Sequence, residues 1–127
     1  MGSRGAFVST KLGNFTFREG KRIYKSVGTV SGIKVLIQTK GSIKAPEFSH
    51  SPNRIYAILQ NGMVKHLAFY DASHKQKICI DFGHQHDGFR PHKHFYLNHK
   101  NGHPLTMKDW KLVKKLMRRY SLYHEKK

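Results

Sequence analysis

RIYAILQNGMVKHLAFY, residues 54–70, is two apolar runs joined by Asn61-Gly62. Asparagine and glycine tolerate the two positive-φ positions of a type I′ turn, so the stretch predicts a β-hairpin. The turn fixes an expected register: Gln60 opposite Met63, Ile58 opposite Lys65, Ala57 opposite His66.

Further strands follow on either side. Asp71-Ala-Ser-His-Lys75 is a polar turn, Lys77-Ile-Cys-Ile-Asp-Phe82 the next strand, and His92-Lys-His-Phe-Tyr-Leu97 the one after. Upstream, Ile33–Gln38 is rich in β-formers and is closed by Lys40-Gly41-Ser42. A loop with two prolines, Ala45 to Asn53, separates it from the hairpin. Residues 14–27 fit a hairpin turning at Gly20 or a short helix from about Glu19, and the pattern leaves both open. At the other end Thr106 can cap a helix with Asp109 as its third residue. There Trp110, Val113, Met117 and Tyr120 fall on one stripe. Apolar residues on both faces of the strands argue for helical cover on the sheet. The expectation is an α+β domain: a four- to five-stranded antiparallel meander with a C-terminal amphipathic helix, and an N-terminal helix or hairpin packed on it. Residues 1–13 are expected to be a disordered or appended tail, and 14–127 one basic domain cut from a longer parent.

Composition narrows the partners. The chain has 24 Lys and Arg against 7 Asp and Glu, a formal charge of +17. Such a field opposes compaction, and it suits a polyanion: nucleic acid first, an acidic protein or anionic surface second. No run of about 18 apolar residues exists, so no membrane insertion is expected. Cys79 is the only cysteine, which excludes an internal disulfide and a multi-cysteine zinc site, and its apolar neighbours make it a core residue.

The chemistry gathers in GHQHDGFRPHKHFY, residues 83–96. His84 and His86 share a face if the strand reaches them, as do His92 and His94. Should His86 pair with His92 about a loop centred on Phe89, all four crowd together beside Arg90. Three uses compete. The four histidines could ligate zinc or another transition metal. They could transfer protons without any cofactor, with Arg90 on a phosphate: imidazole titrates near neutrality, and RNA cleavage needs one base and one acid. Or they could be surface residues, the reading given to His74, His99, His103 and His124. Proton transfer is preferred.

Asn53–Ile58, Gly62, Lys65–Asp71, Ile80-Asp-Phe-Gly-His-Gln-His86 and Pro91-His-Lys-His94 together resemble the C-terminal toxin domains of bacterial polymorphic and phage-associated toxins. A small basic domain with such a meander also resembles the barnase, EndoU, colicin and RelE group of metal-independent ribonucleases. The resemblance implies an endoribonuclease toxin domain that cuts RNA to a 2′,3′-cyclic phosphate. It also implies an acidic immunity or antitoxin protein as partner, and action in the cytoplasm of a target or host bacterium, with delivery as part of a longer secreted protein as one route. In that scheme one histidine of each pair is base or acid, and Arg90 binds the scissile phosphate. Lys40, Ser42 and Lys44 form a second candidate phosphate site, with Lys65 and His66 contributing from the hairpin. Tyr56, Phe69, Phe89 and Tyr96 could stack bases. The alternatives are a non-catalytic nucleic-acid-binding or phage structural domain, and a histidine-ligated metal-dependent nuclease.

Overall fold

The structure is a computed structural model that describes residues 7–9, 15–83 and 91–123. It corrects the expected architecture. The fold is mostly β: among the described residues there are nine strands in one mixed sheet and a single short helix. The strands are β1 (Phe7–Ser9), β2 (Phe15–Glu19), β3 (Arg22–Val30), β4 (Ile33–Lys40), β5 (Ile55–Gln60), β6 (Met63–Tyr70), β7 (Gln76–Asp81), β8 (His92–Phe95) and β9 (Asn98–His103), followed by α1 (Met107–Met117). Their order in the sheet is their order in the chain. Every neighbouring pair is antiparallel except β4 and β5, which run parallel.

Residues 15–27 form the hairpin alternative, with Glu19 opposite Arg22 and Gly20 at φ 62°. Phe7–Ser9, inside the segment expected to be a tail, pair with Phe15–Phe17. The strand read through Leu97 stops at Phe95. Tyr96 and Leu97 turn at positive φ, and Phe95 pairs with Asn98. Neither positive-φ position holds a glycine or asparagine, so the apolar pattern runs straight through them.

Both sheet faces are apolar, as expected, but among the described residues a helix covers only one of them. Ile33, Val35, Ala57, Leu59, Val64, Leu67, Ile80 and Phe82 pack under Val113 and Leu116 of α1. Leu116, not Met117, completes the helix's inner stripe; Met117 is exposed. The opposite face holds Phe15, Phe17, Tyr24, Leu36, Tyr56, Ile58, Ala68, Tyr70 and Cys79. It is covered by chain that carries no helix. The β4–β5 crossover lays Ile43 and Ala45 on it and is pinned by Pro46, whose carbonyl accepts from the Tyr70 hydroxyl and from Gln76 Nε2. The sheet also curls onto this face. Phe17 stands three strands from Tyr56, about 14 Å away in a flat sheet, yet their ring centroids lie 6.1 Å apart.

Helix α1 is anchored at its start. Thr106 and Asp109 form the expected capping box. Asp109 Oδ2 also accepts from Lys93 Nζ of β8 at 2.7 Å, with both side chains largely buried. Burial raises the Asp109 pKa, but the Lys93 and Thr106 hydrogen bonds outweigh it and hold the carboxyl below its ordinary 3.8. A depressed carboxyl stabilises the fold above its unfolded pKa and loses that contribution as pH falls through the folded value. Asp109→Asn is expected to cost roughly 2–4 kcal/mol at neutral pH, from the broken ion pair and weakened cap. Urea unfolding checks this, and the difference between the two proteins is expected to shrink as pH falls below about 4.

Candidate active site

Lys93 reaches the helix side of β8, so the pleat sends its neighbours His92 and His94 to the other face. Both are buried, His92 at 0% and His94 at 4% exposure. Their Nε2 atoms lie 3.0 Å apart, with the rings nearly perpendicular. At that distance one nitrogen donates and the other accepts, so the two Nε2 atoms share one proton. Two N–H groups pointed at each other would clash and repel.

The strand register supplies their neighbours. Asp81 pairs with His92 and Cys79 with His94 across β7 and β8. His66 of β6 pairs with the other side of Asp81. Directly paired residues share a face, so His66, Asp81 and His92 form one row across three strands, with Cys79 and His94 in the next. His66 Nδ1 lies 4.0 Å from Cys79 Sγ. Burial, then the Asp81 carboxylate, push the Cys79 thiol up to about 12, so it stays protonated and is no nucleophile at neutral pH. Asp81 Oδ1 accepts from Gly83 N–H at 2.7 Å, which orients the carboxylate.

His66 arrives on this face because of a β-bulge. Gln60 pairs with Met63 as expected, and Leu59 with Val64, but the register then slips by one. Ile58 faces His66 rather than Lys65, and Ala57 faces Leu67 rather than His66. Val64 lies under the helix. Without the extra residue, strict alternation would have placed His66 there as well.

Lys65, expected at the substrate, is occupied elsewhere. Its ammonium sits 4.3 Å from the Tyr123 ring centroid and presses on the chain at Gly83. A Cβ on Gly83 would lie 1.7 Å from Lys65 Nζ. The Lys40, Ser42 and Lys44 cluster is also held locally. Ser42 accepts from Arg22 through its hydroxyl and carbonyl, Lys44 Nζ pairs with Glu47 at 3.1 Å, and Gln38 bonds the Lys40 and Ser42 carbonyls and the Lys44 N–H. Strands β5, β6 and β7 lie between β4 and the histidines of β8. Of the expected stacking residues, Tyr56 is core, Phe69 faces the helix side, and Tyr96 is exposed. His74 ties the crossover loop through its Nδ1 to the Ser49 carbonyl at 2.8 Å.

His84, His86, Phe89 and Arg90 lie outside the described residues. The four-histidine geometry required His86 opposite His92, and Asp81 holds that place. Asp81 is the residue that sequence reading missed. Its signal was the alternation Cys79-Ile-Asp81, which put a carboxylate on the same face as a core cysteine. No metal-ligating group of three or more His, Cys, Asp or Glu occurs among the described residues. No helix among them is long and apolar enough to cross a membrane. No family model, curated protein or solved structure matches this chain.

Gly83→Ala is expected to cost about 1 kcal/mol by displacing the Lys65 ammonium from Tyr123. In a Lys65→Ala background the same change is expected to cost little. Equal costs in the two backgrounds, measured by urea unfolding, would show that the Lys65–Gly83 contact does not matter.

Proposed function

We propose that this chain is a metal-independent endoribonuclease. The observation that carries the reading is the buried His92–His94 pair, joined by its proton at 3.0 Å, in a row with Asp81 and His66 on a chain of charge +17. Positive charge draws the RNA backbone and makes its capture salt-dependent. The site adds imidazoles at neighbouring positions on one sheet face, groups able to take and give protons near neutral pH.

Roles follow from accessibility. His92 has no exposed surface and acts as a positioning residue, fixing the ring of His94 through the shared proton. His94 keeps slight exposure and His66 is half-buried, so these two meet the substrate. One, neutral, takes the proton of the 2′-OH as its oxygen attacks phosphorus. The other, protonated, gives its proton to the departing 5′-oxygen as the P–O5′ bond breaks. The products are a 2′,3′-cyclic phosphate and a 5′-OH. Asp81 stands between His66 and His92 in the strand register, on the same face as both.

A second reading has one observation in its favour. Two imidazole nitrogens on one tetrahedral zinc lie about 3.3 Å apart, given Zn–N bonds of about 2.0 Å. The His92–His94 separation of 3.0 Å is close to that. Two imidazoles alone are short of a closed shell, and among the described residues no third His, Cys, Asp or Glu joins them in a ligating group.

Purified chain incubated with total RNA is expected to generate cyclic-phosphate ends with or without EDTA, and to leave DNA intact because it lacks the 2′-OH. His94→Ala and His66→Ala are each expected to reduce the rate roughly 10²–10⁴-fold. Loss of cleavage in EDTA with recovery on added zinc selects the metal reading. Absence of cleavage, or full activity in both variants, sinks the proposal.

A further inference from the structure

On the sheet face opposite the histidines, a groove of about 420 Å³ runs along α1. Its floor is Phe69 and Ile78 of the sheet and Leu112 of the helix. Its rim carries Lys108, Lys111 and Lys115, one helical turn apart, and Asp109, whose carboxylate is already paired with Lys93. Among the described residues none of these three lysines has an ion pair. A second apolar recess of about 470 Å³ lies on the other flank of α1, lined by Met107, Trp110, Lys111 and Lys114. Met107 is 80% exposed. Its side chain stands exposed at the edge of this second recess, and methionine adapts well to a partner's shape.

We infer that this face of α1 docks an acidic amphipathic segment of a protein partner. Its carboxylates would meet the lysine rim and its aliphatic or aromatic side chains would fill the floor. Charge complementarity selects the sign: unpaired ammonium groups on a chain with 24 basic and 7 acidic residues call for a negative occupant. The floor selects protein over RNA. Phosphates would satisfy the lysines, but nucleic acid has no aliphatic side chain to bury against Ile78 and Leu112, and hot spots in protein interfaces are such desolvated pockets. Because the sheet separates the groove from His94, the partner would engage the chain without touching the imidazoles.

The test uses a short synthetic peptide with leucine at helical spacing and glutamate elsewhere, at physiological ionic strength. Nuclear magnetic resonance shift mapping on the unsubstituted chain is expected to place it on Phe69, Ile78 and Leu112. Replacing the peptide's leucines by serine, or Lys108 and Lys111 by glutamate in the chain, is expected to weaken binding at least about tenfold. His94→Ala is expected to bind the peptide unchanged, so the docking face stands or falls apart from the ribonuclease reading. The inference is overturned if the serine peptide binds as tightly, if the shifts map to the histidine face, or if an RNA oligonucleotide takes the groove instead.

Discussion

The Lys93–Asp109 ion pair decides which way β8 faces. It ties the middle residue of His92-Lys93-His94 to the first turn of α1, and the pleat then drives both imidazoles to the far side of the sheet. A one-residue slip would exchange them, leaving a lysine in the aromatic core and two histidines against the helix. Its cost is shared with the helix cap, since the same Asp109 oxygen also accepts from the Thr106 backbone. One carboxylate therefore starts the helix, docks it and sets the register of the site strand.

The site is assembled by departures from regular pairing as much as by pairing itself. The bulge at Lys65 carries His66 across the sheet, and the freed lysine folds back on Tyr123 and Gly83. Asp81 ends β7 by taking the Gly83 N–H, so the carboxylate is oriented at the point where the strand gives way to a turn. Bulges and strand ends re-aim side chains at little cost to the core, and the catalytic elements proposed here occupy such positions.

Much of this was legible in the sequence, and what was not has physical reasons. The Asn61-Gly62 turn, the helix with its Thr106–Asp109 cap, the buried Cys79 and the shared face of His92 and His94 all follow from local rules with a strong signal. The nine-stranded sheet did not. Its N-terminal strands carry the same mix of aromatics and charges as a helix start, and the parallel β4–β5 pair depends on a crossover whose sequence marks only a loop. Apolar residues on both faces suggested more helices, whereas loop and sheet curl cover one face. The bulge is invisible in the sequence because nothing in Val64-Lys65-His66 forces it; it shows only in the pairing of β6 with β5.

The site proposed here depends on one proton shared between the Nε2 atoms of His92 and His94. Nitrogen-15 resonance of the two imidazoles tests it directly, by following both rings across neutral pH. The account predicts one ring with a protonated Nε2, its partner with a bare Nε2, and a measurable coupling between those two nitrogens through the hydrogen bond. Two rings that titrate independently, each with free-histidine shifts and no coupling, would contradict it.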